Sequence, residues 1–187
     1  MLYHLREYGN YAEITGYRNI KFAEAEELLK ANRKTPDSLD LQFFDAQLIA
    51  TQEHLFFAAM NALQAFRNKT NISKSLAMET MLYASAQRQI QKAIQRCGIK
   101  PQTKSMAVII IGKDQSQLEN LLSEISTRVG VEPDDGVLEV SKFKEQKIID
   151  TFEITDEELK AVMENGNRSE AVVNLVIERV ALLSTQL

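Results

Sequence analysis

An α/β fold follows from three features of the sequence. Short apolar or alternating runs have strand length, longer amphipathic runs separate them, and two capped helical patterns close the chain. With 187 residues, 44% hydrophobic and 26% charged, the chain has the size and composition of one globular domain, 1–187, and not of a disordered segment. Seven glycines and three prolines are too few for a turn-rich all-β sandwich or a long linker. The expected arrangement is a small mixed β-sheet with helices on both faces and a helical C-terminus.

Tyr11–Ile20 alternates and is rich in aromatic and β-branched residues, which predicts a strand. Phe22–Asn32 holds strong helix formers, with Phe22, Ala25, Leu28 and Leu29 on one face. Thr35-Pro36-Asp37 is turn chemistry, and Leu39–Phe44 is a second strand. A long helix follows from about Gln47 to Arg67, interrupted or capped near Thr51. Glu79–Ser85 fits either period; Thr80 and Tyr83 suit a pleated surface and favour a strand. Ala86–Cys97 is helical, with Ile90, Ala93, Ile94 and Cys97 inward, Gly98 as a left-handed cap and Pro101 beyond.

Met106–Ile111 is continuous and apolar, as for a strand buried on both faces. Asp114 with Gln117 resembles a capping box opening a helix to about Val129. Val131–Gly136 is a polar turn, followed by a short strand at Val137–Val140 and a helix to Ile149. Thr155 with Glu158 caps a helix ending near Gly166, and Asn167 with Glu170 opens the last one, to about Leu183.

No wholly apolar run is longer than Met106–Ile111, well short of the ~18 residues a membrane helix needs. The N-terminus carries an acid early, Glu7, and has no apolar core of signal-peptide length, and the single cysteine, Cys97, forms no internal disulfide. A cytoplasmic protein is expected. Catalytic patterns are scarce. Gly112-Lys113 follows a buried strand, but the upstream glycine and the Ser/Thr of a phosphate loop are missing. His4 and His54 have no carboxylate or cysteine at metal spacing, and Cys97 sits on an apolar stripe without a base. No metal and no cofactor are expected.

Charge is distributed unevenly. The whole chain carries −4, yet residues 67–104 hold eight cations against one acid, Glu79, a net +7. Arg88, Lys92 and Arg96 recur every four residues on one helix, and Arg67, Lys69 and Lys74 precede them among amides such as Asn68, Asn71 and Gln89. Cations suit backbone phosphates and amides suit the edges of unpaired bases, so the segment fits single-stranded RNA; a merely solvated face is the competing explanation. The last helix is apolar over more than one stripe, through Val172, Val173, Leu175, Val176, Ile177, Val180, Leu182 and Leu183. Such a helix is internal, or has one face on its own fold and another on a partner protein.

The stretch from Asn71 to Ile99 resembles the kinase-binding subunit family of the KEOPS complex, the TPRKB-like proteins, in its archaeal form. The resemblance rests on Glu79, Leu82, Tyr83, Ser85, Arg88-Gln89-Ile90, Ala93-Ile94 and Gly98-Ile99, with the buried strand Val108–Ile111 at the expected distance. It implies a non-enzymatic subunit that binds the atypical kinase/ATPase of KEOPS, meets the other subunits indirectly, and captures the single-stranded CCA tail of tRNA in support of threonylcarbamoyladenosine formation. On this resemblance Arg67, Lys69, Lys74, Arg88, Gln89, Lys92 and Arg96 are the candidate tRNA contacts, and Val173, Ile177 and Val180 the candidate kinase contacts. An adaptor that regulates the kinase without touching RNA, and an enzyme with an unrecognised site, are the alternatives.

Overall fold

A computed structural model describes residues 1–34, 39–163 and 165–185. Its centre is a four-stranded sheet of β1 (Leu2–Leu5), β2 (Asn10–Arg18), β3 (Asp40–Asp45) and β4 (Ser105–Gly112), in the order β1-β2-β4-β3. The α/β class and the helices on both faces are as expected. Every strand pairing, however, is antiparallel, where a mixed sheet was expected. β1 went unpredicted because four residues are too few for a period to emerge.

The core strand β4 is buried along nearly its whole length, and its alternation divides the core. Met106, Val108 and Ile110 face α1 (Phe22–Lys34) and, beyond β4 in the chain, α5 (Gln115–Val129). Ala107, Ile109 and Ile111 face the other layer: α2 (Gln52–Asn68), α3 (Leu76–Ala84), α4 (Ile90–Cys97), α6 (Lys142–Phe152), α7 (Asp156–Val162) and α8 (Arg168–Leu182).

Most helix starts lie where the polar caps placed them. Thr51 is the N-cap of α2 after a 3₁₀ turn at Ala46–Leu48. Asp114 accepts from the Ser116 and Gln117 N–H groups, and Asn167 from Glu170. Thr155 and Glu158 form the reciprocal box, with the Glu158 N–H donating to Thr155 Oγ1 (3.2 Å) and the Thr155 N–H to Glu158 Oε2 (2.7 Å). The turn expected at Thr35-Pro36-Asp37 lies outside the described residues.

Three local expectations are corrected. Glu79–Ser85 is not a strand; Leu76–Ala84 is helical, capped by Ser75 and enclosed on nearly every side. A fully enclosed segment shows no amphipathic period, so its Leu, Ala, Met and Glu content was the better guide. Val137–Val140 is not a strand either. Asp134 accepts from the Gly136 N–H (3.0 Å), and Asp135–Leu138 forms a 3₁₀ turn packed on β2 at Gly16. A Cβ on Gly16 would strike Val137 and approach the Asp134 carbonyl oxygen to 2.8 Å. Gly98 is extended (φ −71°, ψ 157°), not left-handed; it bridges to Phe44, and a Cβ there would lie 2.6 Å from the Ile94 carbonyl oxygen.

Candidate functional site

The basic segment spans α3 and α4 and the turns around them. Glu79, its one acid, is 1% exposed and is used up inside the fold. Its carboxylate accepts from the Ile72 N–H (3.0 Å) and the Ser73 N–H (2.6 Å), pinning the turn that carries Lys74. Asp40 reaches across from β3 to accept from the Ala77 N–H (3.1 Å). Burial raises the Asp40 carboxyl above its ordinary value, and this hydrogen bond partly offsets the rise.

At the other end of α3, Ala86 has φ 50°. The Ala86 N–H donates to the Tyr83 carbonyl and the Gln87 N–H to that of Leu82, both at 3.0 Å, which is a Schellman closure with alanine in the place glycine usually takes. Lys69 closes α2 in the same way at φ 58°. Each left-handed residue costs about 1 kcal/mol relative to glycine.

α4 is rotated relative to the expectation. Ala93 and Cys97 point inward, while Ile90 and Ile94 are 41% and 40% exposed. Burial pushes the Cys97 thiol up to about 12, so it stays protonated. Gln89 stands at the N-cap without a capping side-chain bond, Arg88 precedes it, and Lys92 is exposed one turn on. Arg88 Nη1 donates to the Leu183 carbonyl (3.4 Å), tying this turn to the end of α8. Arg96 departs from the row. Its side chain is 22% exposed, lies over the Phe152 ring at 5.8 Å, donates to the Ser85 carbonyl (3.3 Å) and meets Glu153 at 3.7 Å. It is a strut between α4 and α6.

Arg88, Gln89 and Lys92 are therefore together at the start of α4. Lys69 and Lys74 are exposed at the opposite end of α3, whose nine residues span about 13 Å. Arg67 sits with Lys69, stacked over Tyr8 at 5.1 Å and bonded to Gln64.

Between α1 and α4 lies a cleft of about 130 Å³, walled by Phe22, Leu29, Phe43, Met81, Ile94 and Ile99. Its polar edge comprises Arg33, Gln42 and the Lys30–Glu26 ion pair (2.9 Å), with Arg33 Nη2 donating to Gln42 Oε1 (3.1 Å) and buried Gln42 donating to the Phe43 carbonyl (3.1 Å). Burial draws the Arg33 guanidinium below the usual arginine range. Neither residue was singled out from the sequence: Arg33 comes from α1 and Gln42 from β3, and no spacing links them to the basic segment. A larger hollow of about 570 Å³, beside α5, carries Glu119 and Glu132 and no cation, which suits a polyanion poorly.

On α8, Val173 and Ile177 are half-buried, while Val180 is 0% exposed. Val180 points into the core with Val172 and Val176, so it offers nothing to a partner in this conformation, and the expected kinase face loses that residue. Arg179 braces the helix, donating to Glu158 (2.9 Å) and to the Phe152 carbonyl (2.9 Å). Among the described residues no cluster of three or more metal-ligating side chains occurs, and no helix is long and apolar enough to cross a membrane.

Residues 17–184 match the model of a family described as kinase binding protein CGI-121. The chain is also 33% identical to a protein of Methanocaldococcus jannaschii named regulatory protein Cgi121, over 145 residues that cover 78% of this chain and 83% of that one. The family match takes in the α3–α4 unit, the cleft and the whole of α8, so this chain belongs to the CGI-121 family of kinase-binding proteins.

Proposed function

We propose that this chain is a non-catalytic, cytoplasmic, kinase-binding subunit of KEOPS type that holds the single-stranded CCA end of tRNA while the complex modifies adenosine elsewhere on the molecule. The single observation that carries the RNA half is the surface of α4. Exposed Ile90 and Ile94 lie among Arg88, Gln89 and Lys92, the first-turn amides have no capping side chain, and a small cleft with apolar walls opens beside Ile94, its rim carrying Arg33, Gln42 and the Lys30–Glu26 ion pair. An unpaired end needs these features together: cations and amides for phosphate, aliphatic surface for the base faces, and a polar edge to read. Arg88, Gln89 and Lys92 make the contacts, and Arg67, Lys69 and Lys74 provide attraction from the far end of α3. Arg96 contributes to their placement through its strut.

The kinase half rests on the family description and on α8, where Val173 and Ile177 form the apolar part of the docking face. The adaptor alternative draws on one observation. Arg96 is engaged inside the fold, which thins the row of cations on the exposed side of α4.

Reversing Arg88 and Lys92 to Glu together separates the two. The RNA-holding function predicts loss of most tRNA affinity in a chain that stays folded, its melting point lowered only by the loss of bonds such as that of Arg88 to the Leu183 carbonyl. It also predicts that wild-type affinity falls with salt by about 0.7 log units per phosphate contacted per decade. Unchanged tRNA binding by the reversed variant, with kinase binding intact in both, favours the adaptor.

A further inference from the structure

The two edges of the sheet are treated differently. The outer edge of β3 is covered, since Phe44 bridges to Gly98 and Asp40 caps α3. β1 forms the other edge. Ile14 donates to the Met1 carbonyl (3.0 Å), and the pairing runs Leu2↔Glu13, Tyr3↔Ala12, His4↔Tyr11. Hydrogen-bonded and non-bonded pairs alternate in an antiparallel ladder, so Tyr3 spends its backbone groups on β2 while Leu2 and His4 turn theirs to the open side. The strand is short, four residues, but Leu-Tyr-His-Leu has none of the prolines or lysines, and its even register none of the bulges, that also guard natural edges.

Beside this edge lies an aromatic groove of about 330 Å³ lined by Tyr3, Leu5, Tyr8, Phe56 and Met60. Tyr3 and Phe56 pack at 4.8 Å, and Tyr8 bonds Gln64 (2.8 Å), so α2 runs along β1 in the same direction. The surface has two ends of opposite charge. Glu53, Asp135 and Glu13 (the last ion-paired to the N-terminal ammonium at 2.7 Å) lie near Tyr3 and add to the effect of burial in raising its hydroxyl. At the other end Arg6 and Arg67, which stacks over Tyr8, outnumber Glu7.

We propose that β1 pairs antiparallel with β1 of a second copy of this chain, about a two-fold axis at Tyr3, joining the two sheets into one. In this register Leu2 of each copy lies opposite His4 of the other, and these are the residues whose N–H and C=O groups are open. The two-fold also carries the Arg6 end of one copy onto the Glu53 end of the other, so the surface is its own complement. Tyr, Phe, Met and Arg are the side chains such interfaces favour. An open backbone edge asks for a strand, and balanced charge suits neither a polyanion nor an anionic bilayer. The pairing leaves α4 and α8 uncovered and does not depend on the function proposed above.

Sedimentation equilibrium of the full chain between about 1 and 200 µM tests it, and a concentration-dependent monomer–dimer equilibrium is expected. His4→Pro removes an outward N–H that the fold does not use, a position where an edge tolerates proline, and should leave a monomer with its circular dichroism unchanged. Arg6→Glu should weaken the dimer about tenfold, and adding Glu53→Arg should recover it. A wild type that stays monomeric across the range overturns the proposal. So does a folded His4→Pro chain that dimerises as tightly as wild type, or, if that variant fails to fold, a double charge swap that recovers nothing.

Discussion

Glu79→Ala is expected to cost about 3–5 kcal/mol, the largest loss from any single side chain in the α3–α4 unit. The buried carboxylate is the acceptor for the Ile72 and Ser73 amides, and alanine leaves both donors unpaired in a site that admits little water. For a chain of this size the melting temperature should fall by about 10 °C. Glu79→Gln keeps one acceptor oxygen but turns an amide toward the same donors, so it should cost roughly half as much. Urea unfolding measures both, and hydrogen exchange at Ile72 and Ser73 localises the effect. Because the same turn presents Lys74, tRNA affinity should weaken in both variants. A loss below about 1 kcal/mol for Glu79→Ala would show that the carboxylate does not hold the turn.

Lys144→Met is expected to stabilise the chain at neutral pH by about 2–4 kcal/mol and to remove a slope from its pH dependence. Lys144 is 2% exposed, and among the described residues its ammonium has one close partner, the Val137 carbonyl at 2.9 Å. Burial draws its pKa from 10.5 down to about 7, against weaker opposing pulls from Asp45 and Glu139. Between those two values the unfolded chain carries a proton that the folded chain has released. Stability therefore rises with pH across the window, falls as pH drops toward 7, and levels off below it. His54 adds a second slope of the same sign. Its Nδ1 accepts from the Ala50 N–H (3.1 Å), so its Nε2–H donates to the Ala84 carbonyl (2.8 Å), and burial holds its pKa at about 4 against 6.5 unfolded. Denaturant unfolding at a series of pH values checks this. The wild type should weaken through both windows and Lys144→Met only through the lower, acidic one.

The sequence made visible whatever depends on local chemistry. Asp114, Thr155 and Asn167 mark helix starts because a short polar side chain satisfies amides two or three residues away, and that arrangement needs no tertiary context, whereas Thr51 holds the N-cap place of α2 without a side-chain bond. Met106–Ile111 declared a doubly buried strand by having no polar face. Leu76–Ala84 was misread for the same physical reason, since enclosure on all sides erases the period that separates helix from strand. The four residues of β1 exist as a strand only through β2.

The candidate site was legible in part. The cation cluster between Arg67 and Lys104 could be counted, but its geometry could not. Arg88 and Lys92 share the start of α4, Arg96 turns back onto Phe152, and the residues before α3 lie a helix length away. Arg33 and Gln42 meet only because α1 and β3 pack side by side, which no spacing along the chain encodes. Val180 illustrates the converse limit. An apolar helix announces that it is buried, but its sequence does not say which of its valines face the core.

The most direct measurement is a gel-shift titration of the purified chain with full-length tRNA and with the same tRNA lacking its CCA tail. Capture of an unpaired end at α4 predicts that removing the tail abolishes most of the affinity, and that a short oligonucleotide ending in CCA competes with the full-length molecule. Equal affinity for both tRNAs would contradict it and leave the cations as a general electrostatic surface.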